Sequence, residues 1–449
     1  MTELLELARR IAGQANGDEQ IEAYVSRTRE TDVKVHGGSV ESLVVAGRSG
    51  VGVRVLVGGR QGFAWGGSLD DDVVEEAVVE ARDNAAFATP DEFQAIASPD
   101  DCSGAVARLD LWRDDTTTTS TDDKVALALS TEAATLAADD RVRAVESAAY
   151  GDAAIESAIA NSLGVQATTR RTTCSVMSFA LAGDGVDTRT GYGFCAGRAF
   201  ADLDLEVAAR DAADRAVRLL GATQPRTRRL PVVFDPLVTR SLLAIIGAAL
   251  GGEAVMKGRS MFVGRDGELV AAPGITLVDD PTHPEAFGAT PFDSEGVPTR
   301  RVELIVDGVL RGFLHNVATG RRSGRGTTGS AVRGGYASTP GAGARALALA
   351  PGTASPAEIL ADAGEALYVQ SVSGLHSGTN PVSGDFSVGV DGLMVRDGVF
   401  AEPVREVTIA STLPRMLQDV VQVGSDLIWL PGGAAGMTLL LGEMAVSGS

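Results

Sequence analysis

The sequence predicts an α+β protein in which N-terminal helix, antiparallel-meander, helix units precede a β-rich C-terminal domain. Three observations carry this. Amphipathic helical stretches flank blocks of short, glycine-punctuated strands, that element order occurs twice in the first half, and beyond residue 230 Asp-Gly turns separate apolar runs with few helices between them. A length of 449 residues exceeds one compact core. Three domains are expected, at 1–90, 115–222 and 228–449.

The first element is the amphipathic helix in MTELLELARRIAGQ, with Leu4, Leu7, Ile11 and Ala15 on one face. EAYVSRTR, DVKVHG, VESLVVAG, GVGVRVLVGG and QGFAWGG then alternate as a meander requires. Ser68 can cap the helix that follows, Asp70 to Asp72 favour the positive end of its dipole, and Val74, Ala77, Val78, Ala81 and Ala85 form the buried stripe. A Pro-, Asp- and Ser-containing stretch near 89–119 precedes the second copy of the plan. Its first helix, Asp122 to Ala138, carries Val125, Ala128, Leu129 and Leu136; four alternating segments follow, and Leu205 to Leu220 closes the copy as a helix. The likeness lies in element order rather than residue identity, as a structural duplication predicts.

From Leu230 the pattern changes. PVVFDPLV reads as a short apolar strand, and RSLLAIIGAALGG as a helix apolar on all sides, hence buried at an interface or in a domain centre. Asp266-Gly267, Asp307-Gly308, Asp391-Gly392 and Asp397-Gly398 are hairpin signals between runs such as VELIV, VGV and LMV. Helices are expected at Pro356 to Leu367 and Ser411 to Val421.

Composition excludes several function classes. No apolar run approaches the roughly 20 residues that cross a bilayer, and the N-terminus lacks the basic start and cleavage site of a secretory signal. Three scattered cysteines, Cys102, Cys174 and Cys195, make neither a disulfide framework nor a zinc cluster. Cytoplasmic residence is expected. The net charge of -20 repels nucleic acid. The basic clusters, Arg226, Arg228 and Arg229 and then Arg321, Arg322, Arg325 and Arg333, lack interleaved aromatics to stack bases.

The string GLHSGTNPVSGDFSVGVDGLMVRDG, followed by PVREVTIASTLPRMLQDVVQVGSDL, resembles the C-terminal signature of the TldD/PmbA family, also called modulators of DNA gyrase. Upstream, GVGVRVLVGGRQGFAWG is similar to the family's N-terminal domain, ANSLGV to its middle domain, and MKGRSMF, TPFDSEGVPTRR and GVLRGFLHNVATGRRSG to its C-terminal domain. The resemblance spans nearly the whole chain, and the ordered set is far more specific than any one motif.

The family implies two kinds of subunit. The TldD kind resembles a zinc peptidase with an HExxxH motif and a further cysteine near the chain end, a ligand set that leaves one position open for a water. Matching LLAIIGAALGGEAVMKG to that motif by its central glycine puts Leu243 and Ala248 at the two histidines and Ala244 at the glutamate; Gly432, Gly433 and Ala434 fall about where the cysteine would be. The chain therefore resembles the metal-free TldE, or PmbA, kind, with no cofactor of its own and zinc expected on the partner subunit. The resemblance implies a heterodimer with a TldD-like metallopeptidase subunit, enclosing a chamber for an unfolded polypeptide or precursor peptide. An extended peptide can add as a strand to an open edge there.

Chamber-lining candidates are the loop Gly320 to Gly335 and the turn His376 to Ser387, with Arg321, Arg322, His376, Asn380 and Asp385 as substrate-binding residues. The same polar residues in a Gly-rich turn can simply satisfy its backbone. The four histidines, His36, His283, His315 and His376, have no ligand spacing, although the three in the C-terminal domain could converge in space with Asp293, Glu295 or Asp385 as a replacement metal site. No GxSxG elbow occurs, and GTTGS and SGDFSVG match no P-loop. The alternative function is a homodimeric peptide-binding or chaperone-like protein without protease activity.

Overall fold

The computed structural model describes residues 2–448. Helix α1 (Thr2–Ala12) buries Leu4, Ala8, Ile11 and Ala12 against the sheet that follows. The strands are longer than their glycines suggest. The segments read as separate strands fuse into β1 (Gln20–His36) and β2 (Ser39–Val57), joined to β3 (Arg60–Gly66). Glycine in mid-strand weakens a strand without ending it when neighbours on both sides hold the ladder. Helix α2 (Asp71–Phe87) begins after Asp70, not at Ser68. The Ser68 hydroxyl instead bonds the Asp70 carboxylate at 2.5 Å, while the buried stripe is the predicted one.

After a short helix α3 (Asp114–Thr118), the plan returns as α4 (Thr121–Ala138), β4 (Val142–Asn161), β5 (Gln166–Ala182), β6 (Arg189–Gly197) and α5 (Leu205–Val217). Ser120 caps α4 by accepting from the Asp123 amide. Its buried face differs from the expected apolar stripe: Lys124 and Glu132 are buried and Leu136 is exposed. Both charges are satisfied, Lys124 by Asp152 at 2.6 Å and Glu132 by the Gly37 and Gly38 amides. The two halves form one six-stranded sheet, ordered β3-β2-β1-β4-β5-β6, in which β1 and β4 pair antiparallel at the centre.

The C-terminal part begins with β7 (Arg228–Phe234), α6 (Pro236–Ala249) and α7 (Gly252–Met256). Asp235 caps α6 and Pro236 occupies its first turn. Short elements follow: β8 (Leu277–Asp279), β9 (Val302–Val306), β10 (Val309–Leu310), α8 (Val317–Ser323), β11 (Ala331–Val332), β12 (Gly341–Ala342) and β13 (Leu347–Leu349). The chain ends with α9 (Pro356–Ala363), β14 (Ala366–Ser373), α10 (Leu375–Gly378), β15 (Asp385–Arg396), β16 (Val399–Thr412), α11 (Leu413–Gln418), β17 (Val420–Val423), β18 (Ile428–Trp429), β19 (Ala435–Gly436) and β20 (Leu439–Ser447). A second six-stranded sheet runs β16-β15-β14-β7-β20-β17, and an added β16–β20 pairing closes five of its strands into a ring. The main core lies here, with Phe234, Leu242, Leu243 and Ile246 among its members.

Two expectations are corrected. Asp391-Gly392 is not a turn but lies inside β15, at a register shift, because the Gly392 backbone passes so close to the Tyr368 carbonyl that no Cβ fits. The helices expected at 356–367 and 411–421 are shorter, and β14 begins at Ala366. Asp307-Gly308 and Asp397-Gly398 do turn, with positive φ at both residues of each pair. Among the described residues no helix is long and apolar enough to cross a membrane.

Candidate functional site

Helix α6 is apolar nearly all round, yet its sides face different surroundings. Val238, Leu242, Leu243 and Ile246 enter the core, whereas Ala244 and Ala248 are exposed. With about 100° between successive residues, positions 244, 247, 248 and 251 fall on one side. They form the floor of a cavity of about 480 Å³. Its wall is Ala342, Gly343, Ala344 and Gly433, and Glu253, Lys257 and Arg259 stand at its edge. At Gly247 the helix packs closely on Leu347: a Cβ would lie 2.8 Å from its side chain, which would have to shift.

The motif comparison named Leu243, Ala244 and Ala248, with Gly432, Gly433 or Ala434. The structure brings Ala244, Ala248 and Gly433 to this one cavity, although Gly433 is about 190 residues away in sequence. Leu243 is different. It is 1% exposed and packs in the core, because a regular helix turns positions 243 and 248 about 140° apart. Glu253 is the only carboxylate, imidazole or thiol in the lining, and it pairs with Lys257 at 2.5 Å. A catalytic zinc requires about three protein ligands. The lining does not fit one.

A second cavity of about 340 Å³ adjoins the first across Glu253 and Lys257. It lies between the first sheet and the C-terminal part, and Arg54, Gln61, Phe93, Asn316 and Arg322 border it. Arg322 pairs with Asp91 and stacks over the Phe93 ring at 5.0 Å. Of the expected substrate-binding residues, Arg322 therefore reaches a cavity. Arg321, its neighbour on α8, is exposed and borders neither.

The turn carrying His376, Asn380 and Asp385 also lies outside both linings. Asn380 Oδ1 accepts from the Val382 and Ser383 amides, its own amide donates to the Asp385 carbonyl at 2.9 Å, and Ser383 Oγ donates to the Asp385 carboxylate at 2.6 Å. These bonds fix the turn. The Met261 amide donates to Pro381 O at 2.9 Å, which holds the turn beside the segment following α7.

A replacement metal site does not assemble: among the described residues no group of three or more His, Cys, Asp or Glu is arranged so that it could hold a metal ion. His315 is buried behind Gly252, and burial, with the Arg325 charge, pushes its pKa down to about 4. Asp293 accepts from the Glu295, Val297 and Ala331 amides. Glu295 joins Glu22, Arg54 and Arg333 in a buried charge cluster that links the first sheet to the C-terminal part. Burial pushes Glu295 up to about 7, with Asp293 and Glu22 adding to it against Arg54. Burial acts the same way on Glu22, but there Arg54 and Arg333 outweigh it and hold the carboxyl below its usual range.

Sequence reasoning missed Glu253, Lys257, Arg259, Arg54 and Phe93. The signal for the first three was the string GGEAVMKGR directly after the helix. Arg54 had none, since a charge alternating with valines in a strand reads as solvent-facing.

Comparison with known proteins agrees with this geometry. The profiles of the PmbA/TldA metallopeptidase domain 1, central domain and C-terminal domain match residues 21–85, 114–220 and 227–448. The metalloprotease PmbA of Escherichia coli O157:H7 is 28% identical over 445 residues, 99% of this chain and 94% of that protein. A solved structure described as a modulator of DNA gyrase from Thermotoga maritima superposes with a TM-score of 0.89 at 26% identity, covering 100% of both chains. TldE from Thermococcus kodakarensis shares the fold, with a TM-score of 0.87 at 22% identity and 100% coverage of this chain.

Proposed function

Because the chain belongs to the PmbA/TldD metallopeptidase family, we propose that it is the metal-free subunit of a TldD/TldE-type peptidase complex. It acts in the cytoplasm beside a TldD-like subunit that carries the zinc, and it helps to enclose and hold an unfolded polypeptide or precursor peptide. The observation that carries this reading is the cavity beside α6. Three of the positions where the peptidase motif would supply donors border it, yet they are Ala244, Ala248 and Gly433. The surrounding helix and sheet are intact, so a surface for a peptide is retained where the donor chemistry is absent.

The adjoining cavity supports the same reading. An extended chain can pass from the α6 cavity over Glu253 and Lys257 toward Arg322, and size alone would exclude a folded protein. Arg321, His376, Asn380 and Asp385 are proposed to meet the peptide farther along that path. Co-purification of the full chain from its native cell, with mass identification of what accompanies it, tests the assignment. A partner bearing HExxxH is expected. Recovery of the chain only as a homodimer, with no such partner, would favour a peptide-binding protein without protease activity.

A further inference from the structure

The α6 cavity holds a cation with nothing to neutralise it. Lys257 is already paired with Glu253 at 2.5 Å. Arg259 is not: it borders the cavity, its amide donates to the Ala254 carbonyl at 2.8 Å, and its guanidinium makes no hydrogen bond or ion pair among the described residues. In a chain of net charge -20, this exposed guanidinium gives the cavity edge a positive charge that no carboxylate of the described residues pairs. Its fork of donors suits a carboxylate.

The opposite wall offers backbone. Ala344 borders the cavity one residue beyond Gly343, whose amide is used by the Ser330 carbonyl at 3.0 Å. The Ala344 amide and carbonyl take no partner within the described chain. Unpaired peptide groups on a wall recognise another extended backbone. The small, exposed side chains of Ala244 and Ala248 on the floor leave room for that backbone to lie close.

We infer that this cavity captures the C-terminal end of an extended peptide, its terminal carboxylate paired with Arg259 and its last peptide group bonded to Ala344. The inference deepens the peptide-holding role proposed above and rests on it. It assigns to the site that lacks metal donors a task of its own, fixing one end of the chain. A volume of about 480 Å³ falls within the usual range of ligand sites.

The test uses the full chain and a fluorescent, unstructured ten-residue peptide made twice, as the free acid and as the C-terminal amide. Titration by anisotropy should show the acid binding about three- to fivefold tighter, the effect of one ion pair at an exposed guanidinium. Arg259→Met should bring the acid and the amide to equal affinity. Arg259→Lys should restore most of the preference. Ala248→Phe, which adds bulk at an exposed helix position, should weaken both peptides.

Equal affinity for acid and amide, with Ala248→Phe still weakening both, overturns the carboxylate site and leaves peptide holding intact. Binding indifferent to Ala248→Phe, or no binding of either peptide, overturns the inference altogether. Neither result bears on partnership with a zinc subunit, which co-purification decides separately.

Discussion

Arg54 and Glu295 meet at 3.0 Å where both are almost wholly buried, and Glu22 reaches the same guanidinium at 2.7 Å. Each charge is tolerable there only because the others are present. Replacing Arg54 by Met leaves two buried carboxylates short of a partner and should cost about 3–5 kcal/mol, read as a large fall in the denaturation midpoint. The same cluster sets a pH dependence. The folded chain raises Glu295 from 4.5 to about 7, so it binds a proton that the unfolded chain releases between those values. Stability from this group is present at the acidic side of the window and is lost as pH rises through about 7. Glu22 has the opposite sign, and its contribution is lost as pH falls below its ordinary value. Thermal melts of Glu295→Gln between pH 5 and 8 should therefore show a flatter decline than the parent; identical slopes would contradict this origin. At this scale the sequence was legible where a residue type was missing, as at Ala244 and Ala248. It was not legible at Arg54 or Arg259, because an arginine beside apolar neighbours looks the same whether solvent, a domain or a ligand faces it.

Helices lie on the first sheet through glycine in both of its halves. A Cβ on Gly62 of β3 would collide with the Ala81 carbonyl and Ala85 of α2, and one on Gly191 of β6 with the Ala212 carbonyl and Ala216 of α5. The helix cannot recede without opening the alanine contacts that hold it. Gly62→Ala and Gly191→Ala should each lower stability by about 1–3 kcal/mol. Gly47→Ala, with no neighbour within 4 Å, should change it by less than about 0.5 kcal/mol. Equal midpoints for all three variants would contradict the close approach. Amphipathic helices α1, α2 and α5 were readable because their small apolar residues repeat at helical spacing. The register of the strands was not. Glycines that mark turns elsewhere serve close packing at Gly62 and Gly191 and a bulge at Gly392, and only the facing element distinguishes these uses. In α4 the stripe was misjudged because Lys124 and Glu132 find partners on β4 and at the Gly37-Gly38 turn, contacts remote in sequence.

In the whole molecule, the first sheet buries one face under helices and presents charged groups from the other to the C-terminal part. The Glu22, Arg54, Glu295 and Arg333 cluster fixes that junction, and Arg322 with Asp91 and Phe93 closes its edge. The cavity beside α6 is lined by the C-terminal part alone, and the adjoining cavity by residues of both parts. The α+β order and the β-rich second half were visible in the sequence. The joining of two meanders into one sheet was not, since the β1–β4 pairing spans more than 100 residues with no local signal. The proposed division of labour is between this chain, which shapes the site, and a partner, which supplies the metal. Zinc content and peptide cleavage, measured on the purified chain alone and after mixing with a TldD-like subunit, test that division most directly. The expected result is no stoichiometric zinc and no cleavage by the chain alone, with both present in the complex. Cleavage by the isolated chain carrying one zinc per molecule would contradict it.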